Sequence, residues 1–218
     1  MDVHLALRQA RLYGILDLGY VDPDGLVAAT EQMCAGGVDV IQLRAKNHSE
    51  LEVEEVGNEL IRITEAAGIP LIINDHPHLV PSIGAQGAHV GQDDFTVEDA
   101  RWRAGRALTD EVPKPIIGKS THSFAQAVAA EAEGADYIGF GPLFPTPTKA
   151  GRPAIGLEEI RRVHEAVNIP IFCIGGIKLE NLETVIAAGA RRVVIVSGIL
   201  QAPDIAGYCR AVKGMLGG

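Results

Sequence analysis

Carboxylate and amide side chains follow two consecutive apolar runs of the sequence, and these residue types are suited to binding a divalent cation. Asn74 and Asp75 follow the run Pro70–Ile73, and Asp94 follows the run Ala88–Gly91. If the runs are neighbouring strands, which lie about 4.8 Å apart, the two aspartates can share one ion. Oxygen ligands completed by phosphate and water favour Mg²⁺ over zinc or iron. An aspartate at a strand end also often caps the next helix, and the spacing leaves both interpretations open.

Two cations follow another apolar run. Gln42, Arg44 and Lys46 lie at the end of the run Val38–Leu43. Because side chains alternate along a strand, some of these groups are expected to point into the same site as the aspartates. Arg44 and Lys46 would bind a diphosphate there. The alternative for Arg44 is an ordinary strand end with a solvated charge.

Hydroxyl groups and glycines occur in three later segments. Residues 141–151 form a long segment with three prolines, Thr146, Thr148 and Lys149, which is typical of an active-site loop, although a rigid loop without a function fits too. Gly176 follows the seventh apolar run, and Ser197 follows Val196 at the end of the eighth. Backbone N–H groups in such segments can bind a phosphate, or the glycines can simply permit tight turns.

Four of the seven histidines lie near predicted strand ends or turns. His122, two residues after Ser120, can shuttle a proton near neutral pH or can only hold a neighbour in position by a hydrogen bond. His89 can face the same site. His76 and His78 flank Pro77 in a turn, and the pattern alone gives little support for a metal there. His4, His48 and His164 are expected to face solvent.

The elements that position these residues are eight short apolar runs separated by helical patterns. The runs are Leu12–Leu16, Val38–Leu43, Pro70–Ile73, Ala88–Gly91, Pro115–Gly118, Tyr137–Gly141, Ile169–Ile174 and Arg192–Val196. Short runs rich in β-branched residues favour strands that are covered on both faces. Eight strand and helix units predict an α/β fold, a (β/α)₈ TIM barrel forming a single domain over residues 1–218. An open doubly wound sheet is the competing architecture, but it usually has a glycine-rich turn after its first strand.

Residues that typically begin or end helices predict three of the helices and one loop. Ser49 and Glu52 fit a capping box at the start of a helix that Gly68 ends. Two further helices are predicted at 125–133 and 179–188, each followed by a glycine. Glycine, aspartate and proline interrupt the segment Arg101–Pro113, which we expect to be a longer surface connection.

Composition excludes several classes of protein. A net charge of −9 disfavours nucleic acid as a partner, because that binding depends on basic surfaces, although a small phosphorylated substrate can still bind to a few clustered cations. No run of about 18 apolar residues predicts a membrane span, and the first residues do not resemble a secretory signal. Three widely spaced cysteines are expected to be buried thiols in a reducing compartment, which indicates a cytoplasmic protein.

Six segments in order, 42–46, 73–75, 87–94, 118–122, 134–149 and 174–177, resemble the thiamine phosphate synthase family. The resemblance covers most of the chain. It implies a (β/α)₈ barrel that joins hydroxymethylpyrimidine diphosphate to hydroxyethylthiazole phosphate, forming thiamine phosphate and pyrophosphate with the help of Mg²⁺. The implied partners are therefore these two small phosphorylated substrates.

The resemblance also implies roles for individual residues. The pyrimidine diphosphate would be bound by Gln42, Arg44, Lys46, Asn74 and Lys149. The magnesium ion would be held by Asp75 and Asp94. Ser120, Lys149 and Arg44 would act in catalysis, with Ser120 assisting the departing diphosphate. The thiazole phosphate would be bound by Thr146, Thr148, Gly176, Val196 and Ser197.

Two features mark where this chain departs from the family or overlaps with a relative. Many relatives carry charged residues after the Asn-Asp pair, where this sequence has His76, Pro77 and His78. The related thiazole tautomerases have the same barrel fold and a Ser-x-His arrangement similar to that of Ser120 and His122. They typically lack the metal-binding acid and the loop lysine. The presence of Asp94 and Lys149 therefore favours the synthase. The alternatives are a thiazole tautomerase and a non-catalytic regulator that binds thiamine phosphates.

Overall fold

Parallel strands pair in sequence order, β1 with β2 through to β8, and β8 pairs again with β1 to close a barrel. The computed structural model describes residues 2–105, 114–146 and 153–217. The strands are β1 Leu12–Asp17, β2 Val40–Arg44, β3 Leu71–Asn74, β4 Gly87–Val90, β5 Ile116–Thr121, β6 Tyr137–Phe140, β7 Ile171–Ile174 and β8 Val193–Ile195. The predicted (β/α)₈ barrel is thus confirmed, and the open doubly wound sheet is wrong.

Helices surround this barrel. They are α1 Val3–Gln9, α2 Leu26–Ala35, α3 Glu50–Ala67, α4 Val80–Ile83, α5 Val97–Arg103, α6 Phe124–Ala132, α7 Ile160–Ala166, α8 Leu179–Ala187, α9 Ser197–Leu200 and α10 Ile205–Met215. Short 3₁₀ turns lie at Pro23–Gly25 and Pro77–Leu79. Within the described ranges, no helix combines the length and the apolar character that crossing a bilayer needs.

Alternation along each strand separates two hydrophobic clusters. In β1, Leu12 and Leu16 belong to the cluster between strands and helices, whereas Tyr13 and Ile15 belong to the cluster inside the barrel. This is the two-residue periodicity of a strand covered on both faces. The same alternation directs Asp17, at the end of β1, toward Arg44, at the end of β2.

The barrel interior is filled at its N-terminal end. Val3 and Leu7 of α1 pack in the same cluster as the inward-facing side chains, so this helix covers that end. Above them Tyr13, Tyr137 and Phe172 meet edge to face or tilted, with ring centroids 5.3 to 5.8 Å apart. Gly118 makes this possible, because a Cβ there would lie 2.1 Å from the Tyr137 ring.

Four strands extend further than the apolar runs predict. The runs end at Leu16, Leu43, Ile73 and Gly118, whereas β1, β2, β3 and β5 continue through Asp17, Arg44, Asn74 and Thr121. A polar side chain that points into the barrel mouth leaves the backbone free to continue its ladder of hydrogen bonds. Arg44, Asn74 and Ser120 therefore lie on strands rather than beyond them, which holds them more rigidly than a loop would.

Helix ends follow the predicted capping. Ser49 N donates to Glu52 Oε2 at 2.7 Å, Glu52 N donates to Ser49 Oγ at 3.3 Å, and Gly68 ends α3 in the left-handed conformation. The helices predicted at 125–133 and 179–188 are α6 and α8. The expectation of a loop from Arg101 is wrong for its first residues, which complete α5; residues 106–113 lie outside the described structure.

The three histidines expected to face solvent are only partly exposed. His4 Nε2 lies 3.0 Å from the carbonyl oxygen of Lys114. His48 Nδ1 and His164 Nε2 are buried without a hydrogen-bond partner. The expectation is therefore wrong in part, because local packing against neighbouring elements covers one side of each ring.

Candidate active site

A cavity opens at the C-terminal ends of the strands and encloses about 730 Å³, including the space at its mouth. This is the end of a (β/α)₈ barrel where active sites form. Eight of the predicted site residues line it, namely Gln42, Arg44, Asn74, Ser120, Thr146, Gly176, Val196 and Ser197. They come from both sides of the mouth, so the fold brings together residues that are up to 155 positions apart in the sequence, from 42 to 197.

A chain of hydrogen bonds runs through the floor of this cavity. Gln42 Nε2 donates to Tyr13 Oη at 2.8 Å, and Tyr13 Oη lies 2.9 Å from Tyr137 Oη. Tyr137 Oη lies 3.1 Å from His89 Nδ1, and His89 Nε2 lies 2.9 Å from Ser120 Oγ. All five side chains are buried. The network links β2 and β5 across the interior of the barrel.

The amide of Gln42 donates to this chain at one end, since its Nε2 bonds to Tyr13 Oη. The other members are two phenols, an imidazole and a hydroxyl, which can each donate or accept, so the contacts between them can form in either direction. Burial raises the pKa of both tyrosines, which keeps their hydroxyl groups protonated. His89 thus connects the aromatic layer to Ser120 at the cavity.

Two ion pairs lie at the rim beside β1, β2 and β3. Arg44 Nη1 is 2.5 Å from Asp17 Oδ2, and the two side chains are only 12% and 5% exposed. Lys46 Nζ is 3.4 Å from Asp75 Oδ2, with Lys46 half exposed. Two of the three cations predicted to bind the diphosphate, Arg44 and Lys46, therefore contact carboxylates. Asp17, which directly follows the run Leu12–Leu16 and was not among the predicted site residues, compensates much of the Arg44 charge.

Asp75 has an unusual backbone conformation. Its φ of 62° makes it the one residue other than glycine with positive φ among the residues described. Its N–H donates to the His89 carbonyl oxygen at 2.9 Å, and His76 N–H donates to the Asn74 carbonyl oxygen. Aspartate tolerates this region better than most residues, and such conformations concentrate at functional sites.

Burial is the main reason why the pKa of Asp75 is raised. The charges of Lys46 and Arg44 oppose this shift, whereas the neighbouring Asp94 carboxylate adds to it. A divalent cation bound by both carboxylates would offset the burial of Asp75 and the repulsion that Asp94 exerts on it. The donor set at Asp75 and Asp94 thus fits Mg²⁺, which prefers oxygen ligands.

Asp94 does not cap the helix that follows it. The N-cap of α5 is Thr96, whose hydroxyl accepts from Asp99 N, while Asp94 Oδ2 accepts from Gly91 N at 2.7 Å. Gly91 permits this contact, because a Cβ there would lie 2.5 Å from the same oxygen. The capping interpretation of Asp94 is therefore wrong, and the side chain instead folds back over the turn after β4.

The opposite side of the mouth is built from backbone and small residues. Gly175 and Gly176 have φ of 100° and 67°, and a Cβ on Gly176 would lie 2.7 Å from the Cβ of Phe144. Phe144 N donates to the Gly175 carbonyl oxygen at 3.0 Å. The glycines thus let the segment after β6 pack against the turn after β7. Val196 precedes α9, which begins at Ser197.

His122 lines the cavity beside this segment. Its Nδ1 lies 2.5 Å from the Gly141 carbonyl oxygen, which can only accept, so Nδ1 carries a proton. In the neutral ring, Nε2 is then the basic nitrogen. Thr148 and Lys149, predicted to bind substrate on the same loop, lie outside the described residues.

Sequence reasoning missed Tyr13 and Tyr137 as well as Asp17. Both tyrosines occur inside apolar runs, where an aromatic residue is normally part of the core. The available signal was the phenol itself, since a buried tyrosine hydroxyl usually requires a hydrogen-bond partner.

Comparison with known proteins gives a consistent result. A family model described as thiamine monophosphate synthase matches residues 12–199. The thiamine-phosphate synthase of Thermus thermophilus is 43% identical over 191 residues, covering 87% of this chain and 88% of that protein. The corresponding synthase of Halalkalibacterium halodurans is 40% identical over 211 residues, covering 96% and 97%. The solved thiamine phosphate pyrophosphorylase from Pyrococcus furiosus superposes with a TM-score of 0.84 at 30% identity and covers 98% of each chain.

Proposed function

Since the chain belongs to the thiamine monophosphate synthase family, we propose that it joins hydroxymethylpyrimidine diphosphate to hydroxyethylthiazole phosphate. The bond between the pyrimidine methylene carbon and the diphosphate oxygen breaks, and the thiazole nitrogen then forms a bond to that carbon. The products are thiamine phosphate and pyrophosphate. The aminopyrimidine ring supports positive charge on the methylene group, so stabilising the departing anion is the main task of the protein.

The observation that carries this proposal is the convergence of cations, carboxylates and a hydroxyl at one barrel mouth. Arg44 and Lys46 supply positive charge on the same side as Asp75, and Ser120 lines the same cavity as Arg44 from β5. Fixed positive charge in a partly closed site stabilises a developing anion more than it does in water. Arg44, held on β2 by Asp17, is positioned before the substrate arrives.

Each remaining predicted residue has a role in binding. Gln42 and Asn74 face the cavity from β2 and β3 and contact the pyrimidine diphosphate. Ser120, whose Oγ lies 2.9 Å from His89 Nε2, donates a hydrogen bond to the leaving diphosphate. Thr146, Gly176, Val196 and Ser197 line the opposite side and bind the thiazole phosphate through hydroxyl and backbone groups. In the proposal, Lys149 also binds the pyrimidine diphosphate, and Thr148 also binds the thiazole phosphate.

Asp75 and Asp94 would hold Mg²⁺, which supplies charge neutralisation for the departing diphosphate when bound. Lys46 Nζ lies 3.4 Å from Asp75 Oδ2. If Asp75 held the cation, Lys46 would instead bind the diphosphate. The half-exposed Lys46 side chain has the freedom to do so.

A second candidate function is isomerisation of the thiazole, and the geometry of His122 favours it. Its proton at Nδ1 leaves Nε2 as a base in the cavity. One mixture of purified protein, Mg²⁺ and both precursors distinguishes the candidates. Coupled release of pyrophosphate marks the synthase, migration of the thiazole double bond alone marks the isomerase, and tight binding without turnover marks a regulator.

The same assay tests the residues. Asp94→Ala and Lys149→Ala are each expected to reduce kcat by roughly 10²-fold or more, because Lys149→Ala removes a positive charge that stabilises the leaving group and Asp94→Ala removes a ligand of the Mg²⁺ that would do the same. Glu98→Ala is a matched control, since it removes an exposed carboxylate on nearby α5 that has no role in the proposal. Near-normal turnover of either test variant, with its fold intact, contradicts the assignment of that residue.

A further inference from the structure

A cluster of three metal-binding side chains lies outside the cavity, on the outer side of the turn after β3. Its members are Glu50, in the first turn of α3, His76, which directly precedes the 3₁₀ turn, and His78, which lies in that turn. Glu50 Oε1 is 3.7 Å from His76 Nδ1 and 3.2 Å from His78 Nε2. One ligand atom from each of the three residues lies within 4.8 Å of the other two. The proposed synthesis of thiamine phosphate uses none of these groups.

These separations match the first coordination shell of a transition metal. Bonds of about 2.0–2.1 Å in tetrahedral geometry place two ligand atoms roughly 3.3 Å apart. The distance from Glu50 Oε1 to His78 Nε2, 3.2 Å, is just below this value, and the distance to His76 Nδ1, 3.7 Å, is somewhat above it. The two imidazole rings are nearly perpendicular, at 80°, with centroids 5.8 Å apart, so both rings avoid stacking while they converge on the carboxylate.

The backbone prepares this arrangement without an ion. Ser49 and Glu52 form the capping box that fixes the first turn of α3, which carries Glu50. Pro77 is buried and restricts the turn between the two histidines. Two separate elements therefore present three ligands to one point, so that binding requires little ordering of the backbone.

From this geometry we propose that Glu50, His76 and His78 form a second metal site, for Zn²⁺ or a similar borderline ion such as Co²⁺ or Ni²⁺. Imidazole ligands select these ions over Mg²⁺, which takes oxygen ligands almost exclusively. The side chains are 61%, 26% and 36% exposed in the order Glu50, His76 and His78, so the site is open to ions from solution. Water completes its coordination shell.

Such an ion would tie the turn after β3 to the start of α3. His76 follows Asp75 directly, and its N–H donates to the Asn74 carbonyl oxygen at 2.9 Å. An ion held by His76 therefore restrains the segment that keeps Asp75 at its positive φ. The expected consequence is higher stability of this segment, separate from any ion at Asp75 and Asp94.

The test is a titration of the tag-free protein with Co²⁺ and then Zn²⁺, with excess Mg²⁺ present to occupy oxygen-ligand sites. One Co²⁺ per chain is expected, seen by its weak visible absorption and displaced by Zn²⁺ but not by more Mg²⁺. His78→Ala and Glu50→Gln should each weaken Zn²⁺ binding by about tenfold or more. Zn²⁺ should also raise the unfolding temperature of the unaltered protein but not of these variants.

Matched controls separate this site from others. Glu55→Gln removes an exposed charge from the same helix, and His4→Ala removes a histidine outside the cluster; both should bind Zn²⁺ like the unaltered protein. Asp94→Ala should also retain it. The proposal is overturned if the unaltered protein binds no stoichiometric Zn²⁺, if His78→Ala and Glu50→Gln both bind it as tightly, or if Asp94→Ala alone abolishes binding.

Discussion

Both ends of the barrel carry clustered cations, but these cations contact different partners. At the mouth, Arg44 and Lys46 contact the carboxylates of Asp17 and Asp75. At the N-terminal end, Arg192 donates to the carbonyl oxygens of Ala10 and Arg8 at 3.0 and 2.9 Å. A carboxylate pair can be rearranged when a ligand brings new charge, whereas a bond to a backbone carbonyl fixes the chain.

The contrast holds for most of the arginines around the N-terminal end. Carboxylates occur there too, since Arg101 pairs with Asp136 and Lys213 with Asp39. Arg101 also donates to the carbonyl oxygens of Pro115 and Gly134, Arg11 to that of Leu216, and Arg161 to that of Ala187. Most of these carbonyl groups lie between a helix and the strand that follows. We infer that cations at this end serve stability and cations at the mouth serve chemistry, in agreement with the general division of labour in such barrels.

The largest effect is expected for Arg44→Gln. The substitution removes a fixed charge that stabilises the departing diphosphate, so kcat should fall by roughly 10²- to 10³-fold. It also leaves Asp17, only 5% exposed, without its cation, which lowers stability. Steady-state pyrophosphate release measures the first effect and urea unfolding the second. The double variant with Asp17→Asn should recover stability but not turnover; recovery of turnover would contradict a catalytic role.

Arg192→Gln should produce the reverse pattern. Two carbonyl groups lose a charged donor, and the free energy of unfolding should fall by about 2–3 kcal/mol. The kcat and KM of the folded variant should stay within about twofold of the unaltered values, since small changes near 0.4 kcal/mol accompany such distant substitutions. A loss of turnover as large as that of Arg44→Gln would remove the distinction between the two ends.

Sequence patterns were sufficient to predict the barrel, because strands that are buried on both faces appear in the sequence as short apolar runs. They were less informative about where a strand stops. Ser120 belongs to β5, although its run ends at Gly118, because backbone pairing continues under polar side chains that face the cavity. The start of α3 was predicted correctly because its capping box, formed by Ser49 and Glu52, depends only on residues that are close in the sequence.

Contacts between distant residues are what the sequence could not supply. Asp17 pairs with Arg44, and Tyr137 joins Tyr13 to His89, across separations of 27, 124 and 48 positions. Such partners depend on the register of the closed sheet, which a single sequence does not specify. The contribution of Asp94 was undecided for a different reason: its hydrogen bond to Gly91 is local, but it depends on turn geometry that the spacing does not specify.

A pH effect should arise at the N-terminal end. Burial, with the charges of Arg191 and Arg192, lowers the pKa of His164 from its usual 6.5 to about 4. The folded protein therefore resists protonation, and the stability from neutral His164 is present above pH 6.5 and lost as the pH falls toward 4. Relative to His164→Gln, the unaltered protein should lose about 2 kcal/mol over this range, allowing for partial exposure. Urea unfolding at several pH values measures the difference, and a constant difference contradicts the prediction.

The smallest effect is expected for Tyr137→Phe, which interrupts the hydrogen-bond chain between Tyr13 and His89. The buried His89 Nδ1 loses its hydrogen-bond partner, so stability should fall by about 1–2 kcal/mol. Because the Tyr137 hydroxyl then no longer positions the His89 ring, the contact of His89 with Ser120 weakens, and kcat should fall by about three- to tenfold. Nitrogen NMR of the His89 ring should detect the change in its hydrogen bonding.

Tyr208→Phe provides the matched control, since the Tyr208 hydroxyl accepts from Leu179 N at 2.9 Å and does not line the cavity. This variant should lose comparable stability with kcat unchanged. Equal effects of both substitutions on kcat would mean that the interior chain only supports the fold. A loss of kcat in Tyr137→Phe alone would mean that the residues that support catalysis include the aromatic side chains beneath the cavity as well as the charged rim at Arg44.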